Sequence, residues 1–113
     1  MSEVVVVAHA RAKKGRGAEA AALLMNLVGP THGEEGCLLY ALHQDVADPD
    51  HLVFVERWSS REALDAHAGA PHLSLLRDVG PMVLDAPVEV FVLDPLPGGE
   101  PHLGTLEGIA PAA

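Results

Sequence analysis

The stretch CLLYALHQDVADPDHLVFVERW, residues 37–58, decides the fold of this chain. Its two ends are apolar segments of strand length, and the polar residues between them include an Asp-Pro pair. Two strand-like segments joined by a short polar connection are typical of an antiparallel hairpin. The pattern therefore predicts strands over residues 37–44 and 51–58, with a turn over residues 46–50.

On the N-terminal side of this hairpin, the sequence predicts one strand and one helix. Residues 4–12 open as a β-branched run, which is typical of a strand buried on both faces. Residues 18–28 are rich in Ala and Leu and contain neither Pro nor Gly, as a helix requires. Gly29-Pro30 is expected to end or distort this helix, with room for one more turn to His32. The apolar stripe expected to face the sheet consists of Ala21, Leu24, Met25 and Val28.

On the C-terminal side of the hairpin, two helical segments are expected. Ser59 and Glu62 match a capping box, with Ser59 as the N-cap, which predicts a helix that ends near residue 68. Pro71 suits the first turn of a second helical segment, which Gly80-Pro81 should close.

The end of the chain divides into a strand and a tail. Residues 88–94 are apolar and predict the last strand. Residues 96–113 are rich in Gly, Pro and Ala, so we expect a tail that is disordered or draped over a neighbour. The sequence therefore predicts one domain over residues 1–95, followed by this tail.

The predicted order is β-α-β-β-α-β, the ferredoxin-like arrangement of an α+β domain with a four-stranded antiparallel sheet. Helices would then cover one face of the sheet only. Strand one is nevertheless apolar on both faces, with Val4 and Val6 on one side and Val5 and Val7 on the other. A helix-free apolar face needs a partner, and a second copy packed sheet against sheet is the simplest one. We therefore predict a homodimer.

Composition and charge exclude several classes of function. The 113 residues include 16 Asp and Glu against 7 Lys and Arg, a formal net charge of −9, so the phosphate backbone of a nucleic acid would repel the chain. The single cysteine, Cys37, excludes an intrachain disulfide and any CxxC motif. The sequence contains no glycine-rich phosphate motif, signal peptide or membrane-spanning run, so we expect a cytoplasmic protein without a nucleic-acid or membrane partner.

Histidine is the remaining carrier of chemistry, and three of the seven imidazoles are expected to point into apolar layers. His67 and His72 lie on the apolar stripes of the two C-terminal helical segments, and His9 shares its parity with Val5 and Val7. Buried imidazoles are costly unless they are hydrogen-bonded or used in chemistry. No HxH or HxxxH spacing forms a chelate, so we predict no metal site. Solvent is the expected environment of the other four: His32, His43, His51 and His102.

Glu56 is the other unusual residue. It shares its parity with Phe54 and Trp58, which places a carboxylate on an apolar strand face. Such a group could pair with Arg57 of a neighbour, hydrogen-bond Tyr40 or line a pocket.

Three motifs in order give the chain a resemblance to a known family. Glu35 to Tyr40 reads EGCLLY, Phe54 to Trp58 reads FVERW, and Ala63 to His67, ALDAH, is followed by Pro71-His72. Together these segments resemble the antibiotic biosynthesis monooxygenase family, and within it the small members similar to quinol monooxygenases. The resemblance covers about residues 4–93.

This resemblance implies a fold and an activity. Members form a dimeric α/β barrel from two ferredoxin-like units and oxidise small quinol-like or polyketide aromatic substrates with molecular oxygen as co-substrate. They do so without flavin, haem or metal, so no cofactor is expected. By this resemblance His67 and His72 are the candidate catalytic base and donor. The candidate substrate-binding residues are His9, Tyr40, Glu56 and Trp58.

Two other activities occur on the same fold. A haem-degrading branch has Asn on strand one and a Trp and a His further on, whereas the corresponding positions here hold His9, His67 and Arg77, which disfavours haem. A member that binds or isomerises a small ligand without oxidising it is the alternative function.

Overall fold

The computed structural model describes residues 3–106, which form a four-stranded antiparallel sheet with helices on one face. The sheet order is β2-β3-β1-β4, and the ferredoxin-like α+β fold is confirmed. No helix within this described part is both long and apolar enough to cross a membrane. The elements in chain order are β1 (Val4–Arg11), α1 (Gly17–His32), β2 (Cys37–Asp45), β3 (Asp48–Trp58), α2 (Arg61–Ala68), a 3₁₀ turn (Pro71–Leu73), α3 (Ser74–Val83), β4 (Glu89–Leu93) and the short α4 (Pro101–Gly104).

The two faces of the sheet differ in what covers them. The helix face, which α1, α2 and α3 cover, carries the even-numbered residues of β1 and β3, and the buried core lies there. The open face carries the odd-numbered residues, among which Val7 stands opposite Val55 on β3 and Phe91 on β4. Phe91 is 44% exposed and Leu93 43%. The predicted doubly apolar strand is therefore present, with its second face uncovered.

Helix α1 is longer than predicted and is rotated relative to the predicted stripe. It starts at Gly17, whose N–H donates to the Asp50 carboxylate over 2.9 Å and where a β-carbon would collide with the Pro49 carbonyl. It then continues through Gly29-Pro30 to His32. Met25 is 54% exposed, so its assignment to the stripe was wrong. The residues that α1 buries are Gly17, Ala20, Leu23, Leu24, Leu27 and Thr31.

Helix α2 is capped by Ser60, so the prediction of Ser59 as N-cap was wrong by one residue. The Ser60 hydroxyl accepts the Ala63 N–H over 3.1 Å. Ser59 instead donates its backbone N–H to the Gly36 carbonyl over 2.8 Å, which ties it to the loop before β2.

The other boundaries differ modestly from prediction. Helix α3 runs through Gly80-Pro81 to Val83, beyond its predicted end, and the backbone N–H of Leu84 donates to the Gly80 carbonyl over 2.7 Å. The turn between β2 and β3 is shorter than predicted, at residues 46–47. Within the predicted tail, residues 101–104 form a single helical turn, and residues 107–113 lie outside the described part.

Candidate active site

A cavity of about 300 Å³ lies between the helix face of the sheet and the helices. Its walls are mainly apolar, with contributions from both layers. Small-ligand sites in proteins are typically mainly apolar cavities of this size or larger with a few polar groups that orient the ligand. The polar side chains that line this cavity are Tyr40, Glu56, His67 and Arg77.

A close contact between a loop and α2 places an acid beside His67. Gly36, in the loop before β2, has a φ of +86°, a conformation that favours glycine. A β-carbon there would lie 2.5 Å from the Ala63 β-carbon and 2.7 Å from Ser59 Oγ. The bare glycine therefore lets this loop lie directly against the start of α2, and Glu34 of the same loop reaches His67.

Glu34 holds two imidazoles on one carboxylate oxygen. His67 Nδ1 lies 2.8 Å from Glu34 Oε2, and His72 Nε2 lies 2.9 Å from the same oxygen. Thr31 Oγ1 lies 3.1 Å from His72 Nε2 as well. We call Glu34, His67 and His72 the Glu34 cluster.

The hydrogen bond to Glu34 fixes the tautomer of neutral His67. An ionised carboxylate only accepts hydrogen bonds, so His67 Nδ1 must carry the hydrogen. The lone pair is then on Nε2, the nitrogen that Glu34 leaves available on a ring that lines the cavity. An imidazole in this state can accept a proton from a bound molecule.

Glu56 is buried beside His67 and bonded to Trp58. Trp58 Nε1 donates to Glu56 Oε1 over 2.9 Å, and Glu56 is only 4% exposed. Burial, with a smaller contribution from the charge of Glu34, raises the pKa of Glu56 to about 7, although the Trp58 hydrogen bond opposes this. The third of the three predicted roles, lining a pocket, is the one that the structure shows. Arg57 lies on the open face and binds Glu3 of the same chain over 2.6 and 2.8 Å.

The rings of Tyr40 and Trp58 pack against His67; Tyr40 lines the cavity, whereas Trp58 is fully buried and does not. The ring centroids of Tyr40 and His67 are 5.3 Å apart, and those of Trp58 and His67 are 4.7 Å apart. Burial and the nearby charge of Glu56 raise the pKa of the Tyr40 hydroxyl, so that it stays protonated at neutral pH.

His9 lies outside this site and does not line the cavity, although the sequence interpretation placed it among the candidate substrate-binding residues. His9 lies on the open face, where its Nδ1 is 2.8 Å from His51 Nε2. His51 Nδ1 in turn lies 3.0 Å from Asp45 Oδ2. We call Asp45, His51 and His9 the His51 chain. The assignment of His51 to solvent was wrong, since its side chain is 13% exposed.

The sequence interpretation missed Glu34. Its only sequence signal is the acidic loop GEEG, residues 33–36, directly before β2. The spacing rules for metal chelates also missed this group, because its third member comes from another segment. Among residues 3–106, Glu34, His67 and His72 are the group whose ligand atoms all lie within 4.8 Å of one another.

A groove on the surface adjoins the cavity. It has a volume of about 670 Å³ and lies beside α3 and β4. It is larger than the cavity but no imidazole lines it, so the cavity, which His67 lines, is the candidate site. The residues that line both spaces are Leu76, Arg77, Val88 and Val90.

Comparisons with known proteins agree with this architecture. The sequence is 42% identical over 96 residues to the Mycobacterium tuberculosis protein named "Putative monooxygenase Rv0793", covering 84% of this chain and 93% of that protein. The solved structure of Rv0793 superposes with a TM-score of 0.76 at 38% identity, covering 88% of this chain and 100% of that one. The structure of PA3566 from Pseudomonas aeruginosa gives a TM-score of 0.79 at 28% identity, covering 85% and 96%.

The family assignment rests on these likenesses together with a match to a family model. The model described as antibiotic biosynthesis monooxygenase matches residues 3–77, which include β1, β2, β3 and the whole Glu34 cluster. This chain belongs to the antibiotic biosynthesis monooxygenase family.

Proposed function

We propose that the protein is a monooxygenase that oxidises a small quinol-like or polyketide aromatic substrate with molecular oxygen and without a bound cofactor. The observation that carries this proposal is the arrangement of His67. Its Nδ1 is tied to Glu34, and its Nε2 is left to serve as a base at an apolar cavity. Family membership supports the reaction class.

The reaction begins with a proton transfer. His67 Nε2 takes the hydroxyl proton of a phenolic substrate, and Glu34 stabilises the imidazolium that forms. The phenolate passes one electron to oxygen, which gives a phenoxyl radical and superoxide. These recombine with a carbon–oxygen bond at a ring carbon that carries hydrogen.

The second half of the reaction balances the atoms. The ring carbon loses its hydrogen as a proton, the oxygen–oxygen bond breaks, and the ring keeps one oxygen atom as a carbonyl. The other oxygen atom leaves as water, together with the phenolic proton and the ring proton. The product is a quinone, and His67 returns to its neutral state.

Other cavity residues have supporting roles in this proposal. Tyr40 stays protonated and donates a hydrogen bond to the substrate oxygen, and the guanidinium of Arg77 favours the phenolate. His72 does not line the cavity, and neither does Glu34; His72 contacts the Glu34 oxygen that holds His67. We therefore assign His72 a positioning role on Glu34 in place of the predicted donor role.

Oxygen uptake tests the proposal. Purified protein is incubated with a panel of reduced quinols and phenols while dissolved oxygen is recorded against a no-enzyme control. We expect uptake for at least one ring that fits the cavity, and its loss in His67→Ala. Uptake no faster than the control across the panel would overturn the oxygenase proposal. Saturable binding of a ring without uptake would instead favour the alternative, a ligand-binding or isomerase member.

We also propose that two copies pack their open faces together as a homodimer. The open face exposes Phe91 and Leu93 beside the half-buried Val7, and burial of such a face is favourable. Light scattering should give twice the chain mass of 11.8 kDa. A stable monomer at micromolar concentration would contradict the dimer.

A further inference from the structure

We propose that the Glu34 cluster is a binding site for a divalent first-row transition-metal ion such as Zn²⁺. Three potential ligand atoms converge here from three separate segments: Glu34 Oε2, His67 Nδ1 and His72 Nε2. Both nitrogens already lie within 3 Å of the carboxylate oxygen, at 2.8 and 2.9 Å. Two imidazoles and one carboxylate are the ligand set of zinc sites that keep a fourth position open.

The distances suit such an ion after small side-chain movements. Zinc bonds of about 2.0–2.2 Å place tetrahedral ligand atoms about 3.3–3.5 Å apart. The two nitrogen–oxygen distances would therefore widen by about half an ångström, and the two nitrogens, now within 4.8 Å of each other, would remain in range. The rings of Tyr40 and Trp58 hold His67, so Glu34 and His72, the more exposed ligands, would make this adjustment.

The surroundings hold the three ligands in place and leave a path for the ion. His67 is in the last turn of the capped helix α2, and the Gly36 contact holds the Glu34 loop against the start of that helix. The side chains of Glu34 and His72 are 16% and 21% exposed, so an ion can reach them from solvent. Nitrogen ligands select transition ions over Mg²⁺ and Ca²⁺, which prefer oxygen.

The chain provides its own control in the His51 chain. That group has the same composition, one carboxylate and two imidazoles, but His51 uses one nitrogen towards His9 and the other towards Asp45. Its ligand atoms therefore lie in series and do not surround one point.

An ion bound here would change the chemistry of His67. A neutral imidazole that coordinates through Nδ1 must carry its hydrogen on Nε2. Binding would therefore move the hydrogen from Nδ1 to Nε2, and Nε2 would become a donor that cannot accept a proton. This consequence rests on the proposed function: an occupied site would inhibit the oxygenation.

Calorimetric titration of the full chain with ZnCl₂, without substrate, tests the site. We expect one ion per chain and no heat with MgCl₂. Glu34→Gln and His72→Asn should each weaken binding by at least about 10-fold, whereas His51→Asn should leave it unchanged. If circular dichroism shows that Glu34→Gln does not fold, His72→Asn decides, because His72 is the more exposed partner. Absence of stoichiometric binding, or equal binding by wild type and His72→Asn, would overturn the site.

The inhibitory consequence has a separate readout. Oxygen uptake should fall when Zn²⁺ saturates the protein and should return after a chelator is added. Stoichiometric binding with undiminished uptake would overturn the inhibition but not the site. Binding heats do not depend on turnover, so failure of the proposed oxygenation would leave the metal site standing.

Discussion

The two faces of the sheet carry groups of the same composition that are connected differently. In the Glu34 cluster one carboxylate oxygen serves two imidazoles, which leaves His67 Nε2 available at a cavity. In the His51 chain the central imidazole uses both of its nitrogens. The difference teaches that connectivity, more than composition, decides whether such a group can act on a bound molecule.

The carboxylates of the two faces also respond oppositely to their surroundings. Burial raises the pKa of Glu56 on the helix face. On the open face the hydrogen bond from Arg57 lowers the pKa of Glu3, and that from His51 lowers the pKa of Asp45. Desolvation without a cation favours the neutral acid, whereas a hydrogen bond from a cationic or imidazole partner favours the anion.

The largest expected effect is on turnover, and it distinguishes the Glu34 cluster from the His51 chain. His67→Ala should lower turnover by roughly 10²–10⁴-fold, the usual loss when a general base is removed. His51→Asn is the matched control, and its turnover should stay within about two-fold of wild type because the His51 chain does not line the cavity. Steady-state oxygen uptake with the best quinol measures both. Full activity in His67→Ala would refute the base assignment.

The second-largest effect concerns the pH dependence of the free energy of unfolding. The pKa of Glu56 is raised from 4.5 to about 7 in the fold, so its stabilising contribution is present below pH 4.5 and is lost as pH rises through 7. The free energy of unfolding should therefore fall by up to about 3 kcal/mol between pH 5 and 8 through this residue. Glu56→Gln, which keeps an acceptor for Trp58, should remove most of this decline.

Denaturant titrations at several pH values between 5 and 8 measure that change. Glu3→Gln is the control from the open face. The pKa of Glu3 is lowered, so its contribution is present above its unfolded pKa and is lost as pH falls below it. Glu3→Gln should therefore lower the free energy of unfolding by a constant amount across pH 5–8 and leave the decline over that range intact, because the pH dependence of the Glu3 contribution lies below about pH 5. An unchanged decline in Glu56→Gln would contradict the assignment to Glu56.

A smaller effect is expected from the imidazole behind Glu34. His72→Asn should lower kcat by about 10-fold and leave KM nearly unchanged, because His72 orients Glu34 without lining the cavity. A rise in KM with unchanged kcat would show that His72 contacts the substrate directly.

The smallest expected effect is a loss of stability on the open face. His51→Asn removes the 2.8 Å contact with His9 and should cost about 1 kcal/mol of unfolding free energy at pH 7. Chemical denaturation measures this loss. A loss of unfolding free energy several times larger than this would contradict the assignment of a minor stabilising role to the His51 chain.

Local periodicity explains what the sequence could predict of the site. Alternation along β3 placed Glu56 and Trp58 on one face, and helical spacing placed His67 towards the sheet; both patterns are local. Parity could not place His9, because both faces of β1 are apolar and the pattern does not tell which face the helices cover. The contact of Glu34 with His67 could not be predicted from local patterns, because it depends on a loop and a helix that are far apart in sequence.

The two serines before α2 show the same limit at the scale of one residue. Ser59 and Ser60 are equally suited to an N-cap by type. Ser60 caps the helix, because the backbone of Ser59 is engaged by the Gly36 carbonyl. Tertiary contact, which the sequence pattern does not report, decides between such neighbours.

The bare α-carbon of Gly36 lets one position outside the cavity control whether Glu34 can hold the proposed base in place. A methyl group at this position would collide with the Ala63 β-carbon and Ser59 Oγ and would push the Glu34 loop away from α2, although Gly36 itself does not line the cavity. A single nucleotide change from a glycine to an alanine codon would thus remove the support of the proposed base in one lineage without changing either histidine. Descendants of such a lineage would keep His67 and His72 in their sequences. The two histidines alone would then not distinguish an inactive member of the family from an active one.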